Sequence, residues 1–211
     1  DTGNAKISLS LHSACKESIP NVTVSLRHAN YLPGISSQTA TPPGLFIFDR
    51  ITDTTGRVVF DSLIPGTYVL SAITDSARAV AVRCTVTAGD RDVDLGSYVP
   101  EKIGSLTGTV VLPSYDTFEG YVRIFGLDRI AKVDKSTGTW NLDSLAPGEF
   151  DIRICAIGPK SIPVTYRNIS VLPDSSTLVP ETDFNRFFAE DYSTWLYNKK
   201  IIINTSPTGA D

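Results

Sequence analysis

The residues that could do chemistry in this chain are few and lie far apart along the sequence. His12 and His28 are the only histidines, and no constellation of metal ligands accompanies them. Asp92 and Asp94 hint at calcium, but a calcium site needs six or more oxygens, so we interpret this pair as solvent-facing carboxylates on an edge strand. No Gly-x-Ser-x-Gly elbow, phosphate-binding loop or Cys/His dyad is present. The sequence therefore predicts no catalytic residue, no metal and no cofactor.

Cysteine is equally sparse, and three residues do not make a disulfide framework. Cys84 follows Val80 and Val82 in alternation and is predicted to face a core. Cys15 lies in a turn of the same region and could reach it, so a Cys15–Cys84 disulfide is one interpretation. The favoured alternative is that both remain thiols and that a buried one behaves as a small apolar group. Cys155 has no partner in its own region and is predicted to be free.

Exposed aromatic side chains would offer a second kind of chemistry, the stacking of sugar rings. Tyr31, Tyr115, Phe118 and Tyr121 lie near predicted loops and could be exposed, which makes the three tyrosines candidates for contact with a glycan. Scattered exposed aromatics are also normal on any protein surface. Trp140 occupies a core position of the repeat described next and is predicted to be buried.

The chain contains a duplicated stretch, because residues 53–70 return at 135–152 without a gap. The matching positions are Gly56 with Gly138, Asp61-Ser62-Leu63 with Asp143-Ser144-Leu145, Pro65-Gly66 with Pro147-Gly148, and Tyr68 with Phe150. Each copy has a Thr-Gly turn, an alternating run, a Pro-Gly turn and a second alternating run. We therefore predict that each copy is a β-hairpin with one buried face, in which Tyr68 and Phe150 occupy equivalent core sites.

Composition supports an all-β chain and excludes some partners. The 211 residues carry a net charge of −4 with no basic block, which argues against nucleic acid as a partner. No apolar run approaches the roughly 20 residues that span a bilayer, so no membrane insertion is expected. Alternating runs rich in Val, Ile, Leu, Thr and Ser, without long helical periodicity, predict strands throughout.

The order of these runs predicts two modules and an extension. Residues 5–100 form the first module, which contains a long loop at 28–44 that either carries function or is a surface insertion. A short hinge at 100–102 leads to the second module at 103–180. Residues 181–211 have no counterpart in the repeats, and we interpret them as a linker and the start of a further β domain. The chain is expected to be a piece of a longer protein.

The repeat motif has a known likeness. The spacing Thr137-Gly-x-Trp-x-Leu-x-x-Leu-x-Pro-Gly-x-Phe150, after Gly108-Thr-Val110, resembles that of the carboxypeptidase regulatory-like domain. The first module matches at Ser18-Ile-Pro-Asn-Val-Thr-Val24 and at Thr55-Gly-x-Val-x-Phe-x-x-Leu-x-Pro-Gly-x-Tyr68. This resemblance, over residues 5–180, implies two tandem Ig-like or prealbumin-like β-sandwiches related to the B-type repeats of Gram-positive adhesins.

Two further expectations depend on resemblance. The adhesin repeats often carry a Lys–Asn isopeptide bond; here Lys6 lies near the first strand, but the closing run at 92–96 has no Asn, so no such bond is expected. Residues 195–210 resemble the opening strand of a concanavalin-like jelly roll, a domain that accompanies glycan-binding modules in bacterial surface proteins.

Together these features predict a function without a reaction. The resemblance implies a monomeric, non-enzymatic spacer in a larger bacterial protein, extracellular or on the cell surface, whose partners are neighbouring domains of the same chain. The alternative is a carbohydrate-binding module that contacts plant or microbial polysaccharide through Tyr31, Tyr115 and Tyr121.

Overall fold

A computed structural model describes residues 3–35, 47–75, 77–113, 118–158 and 162–187 of the chain. Strands make up most of this part, and its one helix is the 3-10 helix Phe184–Phe187. The strands are β1 Ala5–Leu11, β2 Thr23–His28, β3 Ile47–Ile51, β4 Arg57–Leu63, β5 Gly66–Asp75, β6 Arg78–Val86, β7 Asp92–Tyr98, β8 Glu101–Lys102, β9 Gly104–Val111, β10 Glu119–Ile124, β11 Ile130–Lys132, β12 Thr139–Leu145, β13 Gly148–Ile157, β14 Ile162–Val171, β15 Ser176–Leu178 and β16 Thr182–Asp183.

Strands β1 to β8 form two sheets that enclose one hydrophobic core, and together they are called the N-terminal sandwich. One sheet has the order β4-β1-β7 and the other the order β3-β2-β5-β6-β8. Strands β1 and β7 are parallel, whereas the other neighbours are antiparallel. Alternate residues of both sheets point inward, so Leu9 and Phe60 of one sheet share a core with Leu26 and Leu70 of the other.

Strands β9 to β16 form the C-terminal sandwich in the same way. Its sheets have the orders β12-β9-β15 and β11-β10-β13-β14, and β16 also pairs with β9. Leu106 and Leu142 of the first sheet pack with Ile124 and Ile152 of the second. Trp140 is buried in this core, as its repeat position predicted. The prediction of an all-β fold made of β-sandwiches is therefore confirmed.

The prediction that each repeat copy is a hairpin is wrong. Strand β4 pairs with β1, and the following strand β5 pairs with β2 and β6 in the opposite sheet. The second copy does the same, since β12 pairs with β9 and β13 with β10 and β14. Each Pro-Gly turn thus crosses the sandwich. The alternation pattern is compatible both with a hairpin and with a crossing between sheets. It indicates which side chains are buried, but it does not indicate which strands are hydrogen-bonded neighbours.

The turns at the start of the two repeat copies have the same backbone conformation and similar hydrogen bonds. Gly56 and Gly138 have φ of 75° and 71°, as the predicted Thr-Gly turns require. Hydrogen bonds to Asp134 from the Ser136 hydroxyl and the Thr137 and Ser136 amides lower the pKa of its carboxyl to about 2. Hydrogen bonds from Thr55 and from backbone amides lower the pKa of the corresponding Asp53.

The paired aromatics of the repeat are both in cores. Tyr68 is fully buried and Phe150 is 5% exposed, at positions that face inward on β5 and β13. The Tyr68 hydroxyl donates to the Ile64 carbonyl oxygen at 2.8 Å, which gives the buried phenol the partner that we expected.

Packing of the C-terminal sandwich continues past the boundary expected at residue 180. Strand β16 adds to β9 through Thr182 and Asp183, beside Val110 and Val111. Phe184 is fully buried within the C-terminal core. The predicted jelly-roll strand within 195–210 lies outside the described residues.

Candidate functional site

The segment between the two sandwiches is hydrogen-bonded to both of them. Glu101 and Lys102 form β8, which pairs with the start of β6, and Arg78 Nη1 donates to the Pro100 carbonyl oxygen at 3.1 Å. On the other side, Lys102 Nζ lies 2.7 Å from Asp174 Oδ2. That ion pair is exposed, so its contribution to the free energy of unfolding is small. The predicted hinge is thus held as an edge strand of the N-terminal sandwich.

A buried arginine forms the centre of the junction between the sandwiches. The Arg27 side chain is 5% exposed and projects from β2 on the face away from the N-terminal core. Its Nη1 lies 2.9 Å from Asp49 Oδ1, and its Nε donates to Asp128 Oδ2 at 2.8 Å. Asp49 belongs to the N-terminal sandwich, whereas Asp128 lies in the turn between β10 and β11. One guanidinium therefore joins carboxylates from both sandwiches.

The environment of Arg27 keeps its charge. Burial alone lowers the pKa of the Arg27 guanidinium, but hydrogen bonds to Asp49 and Asp128 outweigh burial and raise it. Burial raises the pKa of the Asp49 carboxyl, but hydrogen bonds from Arg27 and Ser25 outweigh burial and lower it. Arg27 also donates to the carbonyl oxygens of Leu26 and Phe48 at 3.0 and 2.9 Å. All of these acceptors stabilise the charged form of the buried cation.

Tyr31 completes the junction and corrects an expectation. Its hydroxyl donates to Asp128 Oδ1, the Arg27 guanidinium lies 5.8 Å from its ring centroid, and its carbonyl oxygen accepts the Gly126 amide at 2.8 Å. Burial, followed by the hydrogen bond to Asp128, raises the pKa of Tyr31 to about 12. Tyr31 is 7% exposed, so the expectation of an exposed tyrosine is wrong here. Its ring is covered because the loop after β2 lies against the C-terminal sandwich.

Apolar packing and a second arginine extend this contact. Val69 of β5 belongs to the hydrophobic cluster of the C-terminal sandwich, and Ala29 and Ala81 pack against the same cluster. Arg123 Nη1 donates to the Pro33 carbonyl oxygen at 3.2 Å, and its Nη2 lies 3.4 Å from the Cys155 sulfur. The junction is therefore formed by strands, a turn and a loop together.

The other aromatic candidates are not brought together with Tyr31. Tyr121 lies partly buried on β10, where its hydroxyl donates to Glu119 Oε2 at 2.7 Å and the Lys132 ammonium lies 5.7 Å from its ring centroid. Phe118 is buried. Tyr115 lies outside the described residues.

The three cysteines are free thiols. Cys15 is exposed in the turn after β1, whereas Cys84 and Cys155 are buried. Burial raises the pKa of the Cys84 thiol to about 11, which suits a core residue that stays protonated. The Cys15–Cys84 disulfide considered from the sequence is thus not formed in this structure, because Cys84 faces the core and Cys15 faces solvent.

Potential metal ligands lie apart from one another in the described part of the chain. No group of three or more His, Cys, Asp or Glu side chains there is arranged to hold a metal ion. Asp94, half of the Asp-x-Asp pair, accepts the Ser8 hydroxyl at 3.2 Å and the Gly96 amide at 3.0 Å. Lys6 is exposed on β1 and pairs with Asp92 of β7. The one helix among these residues, the four-residue 3-10 helix Phe184–Phe187, is far too short to span a bilayer.

Sequence reasoning missed the residues of the junction. Arg27 and Asp49 lie in strands whose apolar and polar residues alternate, and a charged residue in such a strand is predicted to face solvent. Asp128 lies in a turn with no distinctive sequence feature. The one available signal was the long loop after His28, in which Tyr31 stands among small and polar residues.

Comparison with known proteins gave only distant structural likeness. No protein-family model matches this chain, and no curated protein is detectably similar to it. A streptococcal ancillary pilin is 14% identical over 84% of this chain and 62% of its own, with a TM-score of 0.34. The minor pilin of Streptococcus agalactiae is 14% identical over 85% of this chain and 95% of its own, with a TM-score of 0.32. The major pilin subunit of Bacillus cereus is 10% identical over 83% and 69%, with a TM-score of 0.33.

This chain spans less than two thirds of the length of the ancillary pilin. At such identities and TM-scores the alignments identify neither a family nor a function.

Proposed function

We propose that this chain is a non-enzymatic pair of tandem prealbumin-like β-sandwich modules that serves as a rigid spacer in a larger bacterial protein, secreted or displayed at the cell surface. The modules comprise residues 5–100 and 103–184, and the remaining residues lead to a neighbouring domain of the same chain. The proposal combines the repeat motif and its resemblance with the construction of the junction. Membership of the carboxypeptidase regulatory-like family is part of the proposal.

The observation that carries the proposal is the buried Arg27 shared by Asp49 and Asp128. Removing one partner of a buried ion pair typically costs about 3–5 kcal/mol, because an uncompensated charge remains buried. Both carboxylates here are about half exposed, which makes this clamp weaker than a fully buried one. Opening the junction would remove Asp128 from Arg27 and from Tyr31 in one step, so the closed arrangement is favoured. A fixed angle between modules is what a spacer requires.

Rigidity can be measured directly by the distance between two spin labels, one on each sandwich. Cysteines placed at the exposed residues Ala88 and Ser175, with Cys15 changed to serine, would carry the labels. We expect one narrow distance distribution for the parent chain and a broader one for Asp128→Asn. The matched control is Asp174→Asn, which removes the exposed pair with Lys102 and should leave the distribution narrow. A broad distribution in the parent chain would reject the spacer function.

The carbohydrate-binding alternative is tested separately by titration calorimetry against soluble plant and microbial glycans. The spacer function predicts no heat of binding that depends on Tyr121. Binding in the millimolar range or tighter that is lost in Tyr121→Ala would overturn it in favour of a binding module.

A further inference from the structure

A cleft of about 260 Å³ lies between the sandwiches, beside the Arg27 clamp. One wall is the outer face of β2, β5 and β6. The other is formed by the turn 127–129 and by residues 144–146 at the end of β12. The size is slightly below that of typical ligand pockets and suits a ligand of about one sugar ring. Junctions between domains are a common place for such pockets.

The strand wall of the cleft is made of small side chains with hydroxyl groups. Thr23 and Ser25 of β2 and Ser71 of β5 supply the hydroxyl groups, and Ala79 and Ala81 of β6 supply apolar surface beside them. A hydroxyl both donates and accepts a hydrogen bond, so Thr23 and Ser71 can match hydroxyl groups of a ligand in either sense. The Ser25 hydroxyl donates to Asp49 and is left as an acceptor. The small side chains also leave the volume that a ring would occupy.

The turn wall adds one acceptor and one donor of opposite charge. The Asp128 side chain is 44% exposed and keeps free acceptor capacity beside the bonds from Arg27 and Tyr31. Arg129 makes no ion pair with any carboxylate among the described residues and offers up to five donors. The formal charges of Arg27, Asp49, Asp128 and Arg129 cancel, so the cleft favours a neutral ligand.

We propose that this cleft binds a neutral pyranose sugar unit, which contacts both sandwiches at once. Asp128 accepts and Arg129 donates hydrogen bonds to ring hydroxyls, the serine and threonine hydroxyls complete the polar contacts, and Leu127 and Ala146 cover apolar carbons. Because the sugar touches both walls, it binds the closed junction better than an open one and stabilises it by mass action. This site does not involve Tyr121, and its occupancy is not required for the spacer function.

The test is an amide chemical-shift titration of the full chain with glucose, galactose, mannose, xylose and N-acetylglucosamine, each to about 50 mM, since single sugars bind with dissociation constants on the order of millimolar or weaker. We expect at least one sugar to shift the amides of Ser71, Ala81 and Leu127. Glucuronate, which adds a negative charge, should bind more weakly than its neutral parent.

Two variants locate the site. Arg129→Gln removes the donor, and Ser71→Leu fills the cleft; each should weaken binding about tenfold. Arg83→Gln, an exposed arginine on β6 outside the cleft, is the matched control and should bind as the parent does. No shift with any of the five sugars, or shifts that persist unchanged in Ser71→Leu and Arg129→Gln, would overturn the proposal. Loss of binding in Tyr121→Ala alone would overturn the proposal in favour of the other surface. The spin-label distances of the sugar-free chain test the spacer function separately.

Discussion

The two sandwiches have the same strand register, but one pair of facing core positions carries side chains of different sizes in the two. Val58 of β4 faces Leu9 of β1, and at the equivalent place Trp140 of β12 faces Gly108 of β9. A Cβ added to Gly108 would lie 2.7 Å from the Trp140 ring. The indole therefore occupies the volume that a side chain at 108 would need. The summed side-chain volume of the two facing residues is therefore similar in both sandwiches, although each residue differs. Close packing of a core constrains that sum more than it constrains either residue.

The outer faces of the larger sheets differ more than the cores do. In the N-terminal sandwich Ser25 and Ser71 pair across β2 and β5, and the turn of the other sandwich lies over them. At the equivalent register in the C-terminal sandwich Arg123 and Arg153 pair across β10 and β13. The small side chains lie beneath a turn of the other sandwich, whereas the longer Arg123 reaches the Pro33 carbonyl oxygen in the loop of the N-terminal sandwich. A duplicated core is thus compatible with two different outer faces.

The largest expected effect concerns the end of the C-terminal sandwich. A chain ending at residue 181 should lose about 3–5 kcal/mol of unfolding free energy relative to a chain ending at 187, because Phe184 leaves a core cavity. Phe184→Ala in the full chain should cost a similar amount, measured by urea unfolding. Equal stability of the two truncated chains would restore the boundary at residue 180.

Exchange of the core pair gives the next largest effect. Trp140→Val should cost about 3 kcal/mol by leaving a cavity, and Gly108→Leu should cost about 1–3 kcal/mol or more by overpacking. The double variant should recover much of the loss, with a coupling free energy of about 1–3 kcal/mol in a double-mutant cycle. Additive costs would show that the two positions do not share one volume.

The junction should respond less strongly, and in a way that depends on which partner is removed. Asp128→Ala leaves Arg27 with one carboxylate and should lower the unfolding free energy by about 1–3 kcal/mol, since the pair is only partly buried. Arg27→Met replaces the buried cation by an apolar chain of similar length and should cost less. Thermal unfolding of both variants measures the order, and a larger loss for Arg27→Met would contradict the clamp.

The smallest effect is a pH dependence from the repeat turn. The folded pKa of Asp134 is about 2, below the unfolded value of about 3.9. Its stabilising contribution is therefore present above about pH 4 and is lost as the pH falls toward 2. Carboxyl titration by NMR should give Asp134 a pKa well below that of ordinary aspartates. Asp134→Asn should reduce the change in melting temperature between pH 4 and pH 2. A normal pKa would show that the turn does not hold the carboxylate.

Particular residues show how far sequence reasoning reached. The strands around Tyr68 and Phe150, their burial and the flanking turns followed from alternation and from Gly and Pro, which are local properties. The pairing of β4 with β1 was not accessible, because period-two patterns are the same for strands that lie side by side and strands that face each other. Tyr31 was singled out for the wrong reason, since its covering by the C-terminal sandwich involves residues about a hundred positions away.

By itself the sequence determined an all-β chain with a duplicated motif and buried aromatics at matching positions. These properties depend on hydrophobic periodicity, turn chemistry and composition, which neighbouring residues carry. Only the tertiary structure decided that each motif crosses between sheets, that Phe184 belongs to the C-terminal core and that Arg27 joins Asp49 to Asp128. The sequence around a charged residue on the outer face of a strand is the same whether water or a second sandwich covers that face. Only the position of distant segments decides whether such a residue is exposed or buried.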